Sequence, residues 1–246
     1  MSHYVLVHGA WEGALSWENV VPTLEEQGHQ VSVVELPGSL SNMKPIEDVT
    51  LETYISAVKE VIDKSNDQVI LVGHSLGGIV ISQVAERFVD RIERLIYAAA
   101  FLLKDGTSAI EAMQSDPGGQ LLPQLVFSED QSYAEVLESV WREVGFHDTQ
   151  PEVINDVLTK LAAKQATEPF MAKLDLSSER FGSVPKYIIR TATDRIFSLD
   201  LQDRMIENWS VEKVVTLESG HFPALSMPKG LANSILSITA SQRSTR

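Results

Sequence analysis

Apolar residues in this chain follow two recurring patterns. Short continuous runs rich in Val, Ile and Leu occur at Tyr4 to Val7, Val31 to Leu36, Val69 to Val72, Leu95 to Ala99, Tyr187 to Ile189 and Val214 to Leu217. Continuous runs, rather than alternating ones, are expected of strands buried on both faces. Between them, apolar residues recur at three- and four-residue steps, as at Leu51, Ile55, Val58 and Ile62. That spacing places one apolar stripe on a helix. Pro22 starts or kinks a helix, while Gly28 and Pro37 punctuate the end of a helix and of a strand. Strands alternating with helices predict an α/β fold, with a mostly parallel six-stranded sheet and helices on both faces.

The rhythm breaks between about 102 and 182, where the pattern offers no strand. The segments TSAIEAMQS, SYAEVLESVWREV and PEVINDVLTKLAAKQA read as three helices joined by Pro- and Gly-containing turns. Strand-like runs resume after Pro185. A single domain over 1–246 with a small helical cap inserted at about 102–182 is the expectation.

Composition narrows the function. The 246 residues are 43% hydrophobic, enough for a sizeable core. Lys plus Arg number 20 and Asp plus Glu 34, a formal net charge of −14. Such a chain is a poor match for nucleic acid, whose phosphates reward basic stripes. The absence of cysteine excludes disulfides, thiolate zinc sites and a thiol nucleophile. No His-Glu-x-x-His spacing marks a metal site, and nothing calls for a cofactor. The opening residues MSHYVLVHGAW lack the basic and long apolar regions of a signal peptide. No apolar run reaches the roughly 20 residues of a membrane helix. A soluble cytoplasmic protein, with no membrane partner, is expected.

The chemistry concentrates at Gly73-His74-Ser75-Leu76-Gly77. This Gly-x-Ser-x-Gly lies between a strand and the helix LGGIVISQVAERF, the setting of a nucleophile elbow. Glycines two residues either side of the serine relieve crowding in a turn that exposes its oxygen. A serine hydroxyl needs a base, and the base needs an acid to orient it. In this architecture the acid and then the histidine follow the serine. Only His147 and His221 lie beyond Ser75. His147 falls on a polar cap turn and reads as a solvated residue. His221 follows the last strand, where open parallel sheets place their sites. Asp194 follows the preceding strand; Asp200 and Asp203 fall in the next helix and face solvent. The Leu76 N–H and the Ala10 N–H, from the loop after the first strand, are candidate oxyanion donors. His8 reads as a loop-fixing hydrogen-bonding residue, with a general base as the alternative.

These residues resemble the alpha/beta-hydrolase superfamily, and within it the plant methylesterase, salicylate-binding and hydroxynitrile lyase group with its bacterial esterase relatives. The likeness is carried by His8-Gly9-Ala10-Trp11, Gly28-His29, Gly73 through Gly78, Thr193-Asp194-Arg195 and His221 through Pro228. It implies a Ser75, His221 and Asp194 triad, oxyanion N–H groups from Ala10 and Leu76, and a helical cap over an apolar pocket. Trp11, Trp141 and Phe222 are the candidate pocket residues. The group often has Asp, Met and Glu where this chain has Gly220, Phe222 and Thr193. Its lyases carry a Thr after the first-loop histidine and a Lys after the catalytic one; here those positions are Gly9 and Phe222. Hydrolysis of a small carboxylic ester is therefore expected, with a carbon–carbon lyase or a small-molecule binder as alternatives. A homodimer is left open.

Overall fold

The computed structural model describes residues 1–240. Its strands are β1 (His3–Val7), β2 (Gln30–Val34), β3 (Val69–His74), β4 (Ile92–Ala98), β5 (Val126–Phe127), β6 (Tyr133–Glu135), β7 (Gln165–Ala166), β8 (Lys186–Thr191) and β9 (Lys213–Leu217). Its helices are α1 (Val21–Glu26), α2 (Leu51–Ile62), α3 (Gly77–Arg87), α4 (Ala109–Gln114), α5 (Glu138–Val140), α6 (Pro151–Leu158), α7 (Glu168–Met171), α8 (Leu199–Ile206), α9 (Pro223–Ser226) and α10 (Pro228–Ala240). All six long apolar runs are strands of one sheet, ordered β2-β1-β3-β4-β8-β9, and every pair in it is parallel.

Alternation within each strand divides the core in two. Tyr4, Leu6, Ile70, Val72, Ile96 and Ala98 pack with Leu24 of α1 and with Leu231, Ile235 and Ile238 of α10. Val5, Val7, Leu71, Leu95 and Tyr97 point to the other face, against α2, α3 and the residues inserted after β4. Both faces are covered, which is why the strands read as continuous apolar runs. Helix α2 starts where Thr50 accepts from the Thr53 N–H and Thr53 reaches back to the Thr50 N–H. This reciprocal cap satisfies two donors that the first turn would leave orphaned. Among the described residues no helix is long and apolar enough to cross a membrane.

The insertion between β4 and β8 departs from the all-helical expectation. Strands β5, β6 and β7 form a small antiparallel sheet ordered β5-β6-β7. SYAEVLESVWREV is thus a strand, then α5, then a π-helical turn at Trp141–Gly145. PEVINDVLTKLAAKQA is helical only through Leu158, and its end supplies β7. Ladders of two or three residues leave no readable period; long-range pairing, not local propensity, makes them strands.

Candidate active site

Three loops at the C-terminal edge of the sheet converge. Strand β3 delivers Ser75, which sits at φ +50°, in the left-handed region that non-glycine residues rarely enter. The turn is held by crowding: an ideal Cβ on Gly77 would lie 2.6 Å from the Val7 carbonyl oxygen, and one on Gly73 would lie 2.8 Å from the Gly77 carbonyl oxygen. Beyond β9, His221 places Nε2 2.9 Å from Ser75 Oγ. Beyond β8, Asp194 places Oδ2 2.8 Å from His221 Nδ1. The carboxylate can only accept, so Nδ1 carries the proton and Nε2 is free to accept from the serine hydroxyl. Asp194 is itself fixed: Oδ1 accepts from the Ile196 and Phe197 N–H groups at 2.8 and 3.0 Å, and Oδ2 from the Thr191 hydroxyl at 2.9 Å. The side chains of both Asp194 and His221 are buried.

The loop after β1 completes the geometry. His8 Nε2 accepts from the Leu36 N–H at 3.1 Å, so its other nitrogen donates to the Gly9 carbonyl at 2.8 Å. Burial pushes the His8 pKa down, against the raising effect of Glu12, which suits this neutral tautomer. Because a peptide unit is planar and trans, fixing the Gly9 carbonyl aims the Ala10 N–H the opposite way. Among the described residues neither the Ala10 nor the Leu76 N–H has a protein hydrogen-bond partner. Both ring nitrogens of His8 are thus engaged in tying down the loop.

The cavity beside Ser75 is small, about 20 Å³. Among the described residues, its only side chains with acid–base or nucleophilic chemistry are Ser75 and His221; Ala10, Phe101, Met113, Leu121 and Ile196 share its wall with the aromatics. All three expected pocket residues line it: Trp11, Trp141 and Phe222, joined by Phe170 and Phe197. Trp11 stands edge-on to Trp141 at 5.7 Å, and Phe146 stacks on Trp141 and packs on Phe222 from behind. A wider groove of about 620 Å³ opens at the opposite end of the sheet, near His3, Gln30 and Arg94, far from the Ser–His pair.

Two contacts escaped sequence reasoning. A buried Glu12 carboxylate lies 2.6 Å from His74 Nδ1, although nothing local links residues 12 and 74. Asp148, from the insertion, accepts from the Gly220 N–H at 2.6 Å, immediately before His221. An ideal Cβ on Gly220 would meet that carboxylate at 2.8 Å and His147 Cε1 at 2.7 Å. His147 is therefore half-buried against the histidine loop rather than solvated. Asp200 and Asp203 are exposed as expected.

Comparison with known proteins agrees with this geometry. The chain is 32% identical to the alpha-hydroxynitrile lyase of Arabidopsis thaliana, over 96% of each chain. It is 30% identical to methylesterase 2 of the same plant, over 96% of this chain and 95% of that one. A longer chloroplastic methylesterase-like protein of that plant is also 30% identical, but this chain spans only 64% of its length. Among solved structures, a pyrethroid hydrolase from Sphingobium faniae JZ-2 superimposes with a TM-score of 0.86 at 26% identity, over 99% of each chain. Polyneuridine aldehyde esterase gives 0.86 at 25% identity, over 97% of this chain and 99% of that one. The model of the alpha/beta hydrolase family matches residues 4–234, from the first strand into the last helix. With elbow, acid loop and histidine loop all inside that span, the chain belongs to the alpha/beta hydrolase family.

Proposed function

We propose that this protein is a serine esterase that hydrolyses a small, uncharged carboxylic ester through an acyl-enzyme on Ser75. The single observation that carries the reading is the continuous hydrogen-bonded line from Ser75 Oγ through His221 to Asp194, opening into an apolar cavity. His221 Nε2 takes the serine proton as Oγ attacks the ester carbonyl. Asp194 holds the imidazole in the required tautomer and stabilises the imidazolium that forms. The Ala10 and Leu76 N–H groups receive the oxyanion, and His221 returns its proton to the leaving alcohol. Water then attacks the acyl-enzyme by the same route and releases the acid. The relatives named as methylesterases and esterases support ester chemistry at this site.

Ser75→Ala is expected to leave the circular-dichroism spectrum unchanged and to lower turnover of a p-nitrophenyl ester by roughly 10⁶. Near-normal activity in that variant would end the assignment. Among the described residues, the cavity wall carries no cation to meet an anionic substituent. Leaving a charge unpaired in an apolar site is costly. Neutral short-chain esters are therefore expected to be turned over at least tenfold better, by kcat/KM, than analogues bearing a free carboxylate. Equal kcat/KM for the two series would contradict the uncharged-substrate reading.

A lyase reading has one observation behind it, the 32% identity to the hydroxynitrile lyase. Against it, Gly9 offers no hydroxyl and Phe222 no cation for a departing cyanide. Release of cyanide from mandelonitrile is expected to stay at the uncatalysed background. Fast, stereoselective, Ser75-dependent release by protein inert toward all esters would reverse the order.

A further inference from the structure

Below the Ser–His–Asp line lies a second buried pair that the esterase chemistry does not use. Glu12 and His74 are 4% and 5% exposed. His74 Nδ1 lies 2.6 Å from Glu12 Oε2, and His74 Nε2 lies 2.8 Å from the carbonyl oxygen of His221. A carbonyl cannot donate, so Nε2 carries a proton. Glu12 Oε2 also accepts from the Gly9 N–H at 2.6 Å. Donors converging on one carboxyl favour its ionised form, which places the other proton on Nδ1. The pair thereby touches all three loops of the site: Gly9 in the oxyanion loop, the residue before Ser75 in the elbow, and the backbone of His221.

We propose that Glu12 and His74 form a fixed carboxylate–imidazolium pair that acts as a positioning device, keeping the oxyanion loop, the elbow and the histidine loop in one register during turnover. The proposal rests on the triad reading of Ser75, His221 and Asp194. Each partner holds the other's charge. Burial alone would lower the His74 pKa, but the Glu12 charge and hydrogen bond outweigh it and the net direction is up. Burial would raise Glu12, yet His74 brings it down. The other titratable groups facing the pair are His221, whose ring centre is 5.1 Å from that of His74, Asp194 beyond it, and His8, which Glu35 approaches to 3.8 Å. Trp17 and Phe222 close the remaining sides of the His74 ring. With a proton on each ring nitrogen, His74 holds both the Glu12 carboxylate and the His221 carbonyl.

Nitrogen NMR of histidine-labelled protein at pH 8.5 tests the charge state without turnover, with a His74→Gln sample to assign the signal among six histidines. Two protonated ring nitrogens on His74 are expected; one protonated and one bare nitrogen overturns the proposal, whatever any variant does. Glu12→Gln then tests the positioning role, because its amide oxygen can still accept from the Gly9 N–H but it carries no charge to hold the second proton on His74. At pH 8.5 this variant is expected to lose at least tenfold in kcat with KM for a small neutral ester changed less than threefold, and its His74 to show one bare nitrogen. A kcat within twofold of the parent, or a loss confined to KM, overturns it. Parent protein that is inert toward every ester would instead sink the triad reading and leave the NMR result standing.

Discussion

Gly77 has the Val7 carbonyl where a side chain would go. Gly77→Ala is expected to push α3 away from β1, lowering stability by about 1–3 kcal/mol, the usual cost of overpacking, and lowering kcat more than KM. Thermal denaturation and ester kinetics on the same sample check both parts. Of the four non-glycine residues with positive φ among the described residues, three, Trp11, Ser75 and Ala99, follow sheet strands at the edge that holds the site, and the fourth, Gln131, lies in the insertion. Asp194→Asn keeps the size of the acid but cannot hold the imidazole in the same tautomer. A kcat loss of roughly 10⁴ without unfolding is expected from steady-state rates. Away from the site, Lys186 is 1% exposed and donates to the Phe181 and Val184 carbonyls. Burial pulls its pKa down to about 8. Between that value and the ordinary lysine range the unfolded chain binds this proton and the folded one does not, so stability rises with pH there. The difference in urea midpoint between the parent and Lys186→Met should therefore grow in the parent's favour from pH 7.5 to 9.5; a constant difference would count against it. The meeting of Ser75, His221 and Asp194 was legible at this scale because the elbow spacing is local and Asp194 and His221 each follow a strand. The Glu12–His74 contact was not, because it depends on which loops the sheet brings side by side.

Elements were read from the sequence in proportion to their length. The six sheet strands and helices α2, α3 and α10 carry five or more residues of consistent pattern, and their positions follow from it. The short ladders after β4 do not, so an alternating Tyr133-Ala134-Glu135 was absorbed into a helix. The π-helical turn at Trp141–Gly145 likewise has no sequence period of its own; it is held by packing of Trp141 in the wall and by Arg195, which donates to the Glu143 carbonyl at 2.7 Å. Insertion and active site are joined most directly by Asp148, and the Gly220 N–H it receives is buried. Asp148→Ala leaves that donor unsatisfied, at a cost of about 1–3 kcal/mol. A lower melting temperature together with a reduced kcat is expected, because the same loop carries His221; loss of stability with an unaltered kcat would detach Asp148 from the chemistry.

At the scale of the whole molecule, the two faces of the sheet divide the work. One face packs α1 and α10, and the other carries the cavity and its aromatic wall. Leu231 of α10 is 1% exposed on the face away from the cavity. Leu231→Ala is expected to cost about 2–5 kcal/mol of stability while leaving kcat/KM unchanged well below the melting temperature. The sheet order has a further consequence in time. Strand β8 pairs with β4 across residues 99–185, and β9 docks only on β8. During synthesis the ribosome therefore releases Ser75 long before Asp194 and His221, and a nascent chain ending before Lys186 presents a hydroxyl with no base behind it. Under the proposed esterase chemistry, the growing polypeptide gains its acid and then its base only when the last two strands close the edge of the sheet.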